Sequence, residues 1–159
     1  MIIRDFQGGD KEVVEEIFKL YWTDPEFLAG LSRKLQMCIK QTEEYINKKY
    51  RFFVAEENGK VLGIAGLRGA PDHMRQHTKT NNSAEFYVLA VKYKGRGTGE
   101  ALRLKRIEEA KKLGFTEIVL YSPNSHQESW GFHDRHGFER VGEALAPDGE
   151  PGQIWRRGL

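Results

Sequence analysis

Ile2, Ile3 and Phe6 make a short apolar run that reads as a first strand, followed by Gly8-Gly9 and by Asp10 as a helix N-cap. Val13, Val14, Ile17, Phe18 and Tyr21 then recur at three- and four-residue spacing, which sets them on one face of a helix stopping near Thr23-Asp24-Pro25. A second helical region starts at about Pro25, because proline is accepted in a first turn. It carries Leu28, Leu31, Leu35, Met37, Cys38 and Ile39 and extends through Tyr45 and Ile46 toward Lys49, with a break at Gly30 to Ser32 or at Gln41 to Thr42. Arg51 to Glu56 and Lys60 to Leu67 read as strands joined by Glu57-Asn58-Gly59, whose Asn-Gly pair is a strong hairpin signal. From Arg68 to Asn82 the apolar periodicity disappears, and this stretch reads as a mobile, substrate-facing loop.

The second half is organised around Ala84 to Leu113. Phe86, Tyr87, Val88, Leu89 and Val91 are the aromatic and β-branched content of a strand buried on both faces. After a glycine turn, a helix starts at about Thr98, with Ala101, Leu104, Ile107, Ala110 and Leu113 inward and Arg103, Lys105, Arg106 and Glu109 between them. Gly114 caps it. Thr116 to Tyr121 is a further strand, a short helix runs from about His126 to His136, and strands at Glu139 to Leu145 and Gln153 to Arg157 close the chain. There is no internal repeat or low-complexity segment, and residues 1–159 read as a single domain of mixed α/β class.

A chain of 159 residues is long enough to bury a core without staples. Cys38, the one cysteine, excludes an internal disulfide and agrees with a reducing, cytoplasmic setting; in its helical, partly apolar segment it reads as a packing residue. No apolar run spans a bilayer and the first residues read as a strand, so neither membrane nor signal peptide is expected. The 25 basic and 23 acidic residues nearly balance, which gives no ground for nucleic-acid binding. His73 and His77 stand four apart, but Gly69 and Pro71 oppose a stable helix there and no third ligand is near, so no metal is expected.

The turn Lys94-Gly95-Arg96-Gly97-Thr98-Gly99 carries the candidate chemistry. Three alternate glycines between a strand end and a helix start permit unusual backbone conformations and close approach of a ligand. Unpaired N–H groups at the helix start, with Lys94 and Arg96, suit a phosphate; the bland reading is a plain strand-to-helix connection. A P-loop needs its lysine after the glycines, and here Glu100 stands where a cation is wanted. A dinucleotide fingerprint would need a glycine at that same position. The remaining pattern, [Q/R]xxGx[G/A], is met except that lysine stands first.

This turn resembles that of the GCN5-related N-acetyltransferase family, which cradles the pyrophosphate of acetyl-coenzyme A. The element order is similar along nearly the whole chain: strand, two helices, three strands, helix, strand, helix, two strands. The resemblance implies a mixed, mostly antiparallel sheet of about seven strands flanked by about four helices. It assigns backbone groups of Leu89, Ala90 and Val91 to the pantetheine arm, on a strand that splays from its neighbour. To the pyrophosphate it assigns the turn Lys94, Gly95, Arg96, Gly97, Thr98 and Gly99. A main-chain N–H of Leu89 or Ala90 is the implied oxyanion donor.

Trp130 to Phe138 is similar to the stretch in which the family carries a tyrosine, four positions before a Gly-Phe pair, to protonate the leaving thiolate. Here that position is His133, which either acts as the acid or fills the tyrosine's space, with Tyr121 and Ser129 as substitute donors. The family's asparagine seven positions upstream corresponds to His126, while Asn124 lies two residues earlier; either meets the cofactor. The link between Val91 and Lys94 is also shorter than is common.

Glu85 is the one carboxylate of the central strand and the candidate for taking up the amine proton, directly or through water; a charged residue there faces a cleft or the strand end. A structural alternative pairs it with Arg68 or Lys79. His73, Arg75, His77 and Lys79 favour an acceptor with a carboxylate, whereas Glu85, Glu143, Asp148 and Glu150 favour a polyamine or aminoglycoside. The implied function is acetyl transfer to an amine, with an acyl-coenzyme A sensor without turnover as the alternative. C-terminal strands of such folds often pair between subunits, which would make a homodimer.

Overall fold

The structure, a computed structural model, describes all 159 residues. Its strands are β1 (Ile2–Asp5), β2 (Arg51–Glu57), β3 (Lys60–Gly69), β4 (Ser83–Val91), β5 (Glu117–Pro123), β6 (Glu139–Leu145) and β7 (Pro151–Gly158). Its α-helices are α1 (Lys11–Phe18), α2 (Pro25–Lys40), α3 (Glu43–Asn47), α4 (Thr98–Lys112) and α5 (Trp130–Arg135), with 3-10 turns at Gly8–Asp10, Asp72–His77 and Asn124–Ser129. The strands form a mixed, mostly antiparallel sheet in the order β1-β2-β3-β4-β5-β7-β6, as expected. β4 and β5 are parallel, paired from Ser83↔Glu117 to Glu85↔Val119.

Helices number five because the second helical region divides. Gln41 takes the left-handed conformation (φ 50°), and the Thr42 hydroxyl accepts the Tyr45 N–H to start α3. At α1 the expected cap differs: Asp10 stands at the N-cap position but does not cap the helix. Its carboxylate takes the Arg4 guanidinium at 2.8 and 3.0 Å and the Gln7 N–H at 2.9 Å. The β2–β3 hairpin turns on Asn58 and Gly59, both with positive φ, as a type I′ turn requires.

By their contacts the residues fall into two compact units, Met1–Arg68 with Tyr87–Glu109, and Gly69–Phe86 with Ala110–Leu159. In the first, side-chain alternation in β2 divides the core: Phe52 and Val54 join Val14, Ile17, Phe18, Leu31 and Leu35 of α1 and α2, while Phe53 and Ala55 join Leu102 of α4. In the second, Met74 of the 3-10 turn packs with Val119 of β5 and Ile154 of β7.

The inner face of α4 differs from expectation. Leu102, Arg103, Arg106, Ile107 and Ala110 are buried, whereas Leu104 is 53% exposed. Residues spaced by three drift around an α-helix, sweeping about 240° over four steps, so Ala101 to Leu113 cannot share one face. The stripe that does face inward includes two arginines.

Candidate active site

In the first unit β4 runs out at Val91 into an exposed turn that returns at Thr98, the 2% exposed first residue of α4. Gly95 and Gly97 have φ of 77° and 78°, and a Cβ on either would meet nothing within 4 Å. Glycine is therefore required by backbone conformation, and the space over the turn is open to a ligand. The Gly97 carbonyl accepts the Ala101 N–H at 3.0 Å, so α4 is closed from its first turn while the preceding N–H groups lie at its positive end. Lys94 sits over the Tyr21 ring and Arg96 over the Tyr93 ring, at 5.8 and 4.4 Å from the centroids. Glu100, the acidic residue in this first turn, is held by Arg103 at 2.7 and 3.1 Å, which offsets a charge that would oppose a phosphate.

The backbone of β4 has a direction at each of its last peptides. The Lys92 N–H donates to Leu62 of β3 at 2.7 Å, and the Ala90 carbonyl lies close against Gly63 of β3. A trans peptide points its C=O and N–H oppositely, so the Val91 N–H faces away from β3. There the Tyr21 hydroxyl donates to the Val91 carbonyl at 2.9 Å and stands 3.4 Å from the Val91 nitrogen. One of the three residues assigned to pantetheine is thus already engaged by a side chain.

Upstream, alternation slips. Tyr87 and Val88, consecutive in sequence, both pack on the α1–α2 side, while Leu89 and Val91 pack on the α4 side, the mark of a bulge. Beside it Arg106 of α4, 3% exposed, donates from one guanidinium nitrogen to the carbonyls of Gly66 at 3.2 Å and Val88 at 3.4 Å. Burial, and secondarily the Arg103 charge, push its guanidinium down to about 9.

Glu85, Asn124, His126 and His133 lie in the second unit. Glu85 is 6% exposed, opposite Val119 in the β4–β5 ladder, so it does not face solvent at a strand end. His133 is half-buried in α5, its ring 5.1 Å from Trp155, 6.0 Å from Phe132 and 6.3 Å from Phe138 between centroids. Trp155 donates its indole N–H to Asp134 at 2.9 Å, which anchors the helix carrying His133. Asn124 is exposed at the start of a 3-10 turn, and His126 breaks that turn (φ −116°, ψ 40°) while its carbonyl accepts the Ser129 hydroxyl at 2.9 Å. Tyr121 donates to the Glu150 carbonyl at 2.7 Å, and burial, then the Glu150 and Asp148 charges, push its phenol up to about 12. Its proton is firmly held.

Leu89 to Gly99 therefore form one continuous segment within the first unit, and the candidate proton-handling groups belong to the second. Sequence reasoning missed Tyr21, Arg106 and Glu117. Tyr21 read only as an apolar helix residue. Arg106 lies four residues from both Leu102 and Ala110, a spacing that marks it as inward-facing. Glu117, 3% exposed, accepts the Lys79 and Thr80 N–H groups at 2.9 and 3.0 Å and the Ser83 hydroxyl, so it ties down the end of the loop expected to be mobile.

Residues 14–138 match the model of the Acetyltransferase (GNAT) family. Among curated proteins, N-acetyltransferase family 8 member 2 of Rattus norvegicus is 29% identical over 103 residues, 64% of this chain and 44% of that protein. The chain spans about half the length of the curated relatives it matches. Among solved structures, the ribosomal-protein-alanine N-acetyltransferase of Brucella melitensis superposes with a TM-score of 0.74 at 20% identity over 100% of both chains. The PaiA N-acetyltransferase of Thermoplasma acidophilum, solved in complex with coenzyme A, gives 0.68 at 20% identity over 99% of this chain and 98% of its own. No helix is long and apolar enough to cross a membrane.

Proposed function

This chain belongs to the GNAT acetyltransferase family, and from that membership we propose that it transfers an acetyl group from acetyl-coenzyme A to a primary amine by direct attack in a ternary complex. The observation that carries the reading is the turn from Lys94 to Gly99, with two glycines at positive φ, open space above them and the start of a fifteen-residue helix behind. Backbone N–H groups from Arg96 to Gly99 hold the pyrophosphate, and Lys94 and Arg96 add charge. Val91 must share its backbone groups between Tyr21 and pantetheine. The Ala90 carbonyl is turned toward Gly63 of β3, and in an extended strand the N–H of a residue points the same way as its carbonyl, which favours Leu89 over Ala90 as the main-chain oxyanion donor.

In this mechanism the neutral amine attacks the thioester carbon, the carbonyl oxygen takes up negative charge against the Leu89 N–H, and the carbon–sulfur bond breaks. Glu85 receives the amine proton, directly or through water, and His133 supplies a proton to the thiolate. Asn124 or His126 contacts the cofactor, and no metal takes part. The fold alone does not choose an acceptor, since structural neighbours bear names as different as ribosomal-protein-alanine and aminoglycoside 6′-acetyltransferase. A small-molecule or peptide amine, a cytoplasmic setting and a homodimer belong to the same proposal.

The second reading, an acyl-coenzyme A sensor, is favoured by His133 itself, whose ring packs among Trp155, Phe132 and Phe138 as a space-filling residue does. Thiol release from acetyl-coenzyme A across a panel of amines, beside a His133→Phe variant and thermal shift with coenzyme A, separates the two. We expect release with one amine class, and in the variant a loss of release with coenzyme A binding kept. Binding without release from any amine would favour the sensor, and no binding would overturn both.

A further inference from the structure

Arginine is almost never fully buried unless the charge is met, and taking it out of water is costly before any pairing. Arg106 is buried, on the apolar stripe between Leu102 and Ala110, where an aliphatic side chain would pack without that cost. One nitrogen of its guanidinium donates to two main-chain carbonyls of neighbouring strands, Gly66 at 3.2 Å and Val88 at 3.4 Å. It does so where the alternation of β4 slips, immediately before Leu89.

The Val88 carbonyl and the Leu89 N–H belong to one planar peptide, and the structure has no cis peptide bond. A donor that fixes the carbonyl therefore fixes the N–H pointing the opposite way. A cationic donor also withdraws electrons from the amide, so the N–H becomes a stronger donor, the cooperative effect of linked hydrogen bonds. Alternation along an extended strand gives the Val91 N–H, two residues on, the same direction, and it is met on that edge by Tyr21.

We infer that Arg106 is a positioning residue, holding the Val88–Leu89 peptide so that the Leu89 N–H is aimed and strengthened toward the oxygen of a bound thioester. The inference rests on the acetyl-transfer reading. As the carbon–nitrogen bond forms, the carbonyl oxygen takes the electron pair of its π bond and the Leu89 N–H donates a hydrogen bond to that oxyanion. The amine proton goes to Glu85, the pair returns to re-form the carbonyl as the carbon–sulfur bond breaks, and the thiolate leaves and is protonated by His133. Arg106 exchanges no proton and touches no reactant. Its effect is on kcat, because the N–H matters most where charge develops.

The test compares Arg106→Met, which removes charge and donors, with Arg106→Lys, which keeps the charge, and with Leu31→Ala, a core truncation in α2 that lowers stability without reaching this peptide through a hydrogen bond. In Arg106→Met we expect kcat to fall about tenfold or more with KM for acetyl-coenzyme A within about twofold. Arg106→Lys should recover part of the loss. Leu31→Ala should lower the melting temperature with kcat near wild type.

A second readout needs no turnover. In wild type bound to a ketone analogue of acetyl-coenzyme A, the Leu89 amide proton should move downfield, and in Arg106→Lys by less. Wild-type kcat in Arg106→Met, a loss of kcat matched by Leu31→Ala, or an unchanged Leu89 shift in Arg106→Lys would overturn the inference while leaving acetyl transfer standing. If Arg106→Met does not fold, the lysine variant and the amide shift decide. Absence of thiol release from wild type would instead count against acetyl transfer, and the amide shift would still judge Arg106.

Discussion

Glu117 shows how much one buried carboxylate organises. Its side chain collects two main-chain N–H groups, from Lys79 and Thr80, and the Ser83 hydroxyl, closing the end of the stretch that begins after β3. Glu117→Ala leaves those donors without this acceptor, and hydrogen bonds to a charged group are each worth roughly 1.5–3 kcal/mol. Urea unfolding should show a loss of on the order of that magnitude, and amide exchange at Lys79 and Thr80 should accelerate. Unchanged exchange would mean that the loop is held elsewhere, for instance by Met74, which is 1% exposed. None of this was legible in the sequence, where Glu117 reads as an ordinary strand residue and its partners lie thirty-four to thirty-eight positions away.

At the scale of elements, two glycines make opposite demands. Gly97 has φ 78° with open space around it, so Gly97→Ala meets only the backbone penalty of the left-handed region, roughly 1–2 kcal/mol. Gly63 has ordinary φ, but a Cβ there would stand 3.0 Å from the Thr98 side chain and 3.2 Å from both the Ala90 carbonyl and Leu102. Gly63→Ala therefore overpacks the junction of β3, β4 and α4, at about 1–3 kcal/mol. Thermal unfolding with and without coenzyme A should find both variants less stable, with Gly97→Ala the one whose stabilisation by coenzyme A is weakened. Equal ligand stabilisation in Gly97→Ala and wild type would speak against the turn as the phosphate site. The glycine turn was readable because positive φ is a local demand that leaves its mark in residue type. The inner face of α4 was not, because Arg103 and Arg106 look like solvent-facing residues until their partners are known.

Across the whole molecule, acid should act on the two units at different pH. His77, in the second unit, has its ring pushed down in pKa by burial and then by the Arg156 charge. As pH falls through about 6.5 the unfolded chain takes up a proton that the folded ring resists, so stability falls with pH from there. Asp10, in the first unit, is held below its ordinary value first by its hydrogen bonds with Arg4 and also by the Gln7 N–H. Its contribution is complete above about pH 4 and is lost as pH falls through the folded value. Melting temperatures against pH should show wild type losing stability relative to His77→Gln below about pH 6.5, and relative to Asp10→Asn only below about pH 4. Parallel curves for wild type and Asp10→Asn across the acid range would show that the Arg4–Asp10 contact contributes no linked stability.

The strands, the hairpin at Asn58-Gly59 and the glycine turn before α4 were readable along the chain because each follows from local backbone chemistry and a short apolar period. The division of the second helical region into α2 and α3 was visible as one of two breaks, since a single residue in the left-handed conformation sufficed to make it. Folding alone decided which polar groups meet: Tyr21 on Val91, seventy residues apart; Arg106 on Val88, eighteen apart; and Glu117 on Lys79, thirty-eight apart. Residue type declares a donor or an acceptor, but its partner and its burial depend on neighbours supplied by distant segments. That is why the glycine turn before α4 could be read from its own six residues, while the side chains that hydrogen-bond the strand beside it could be recognised only once the chain had closed around them.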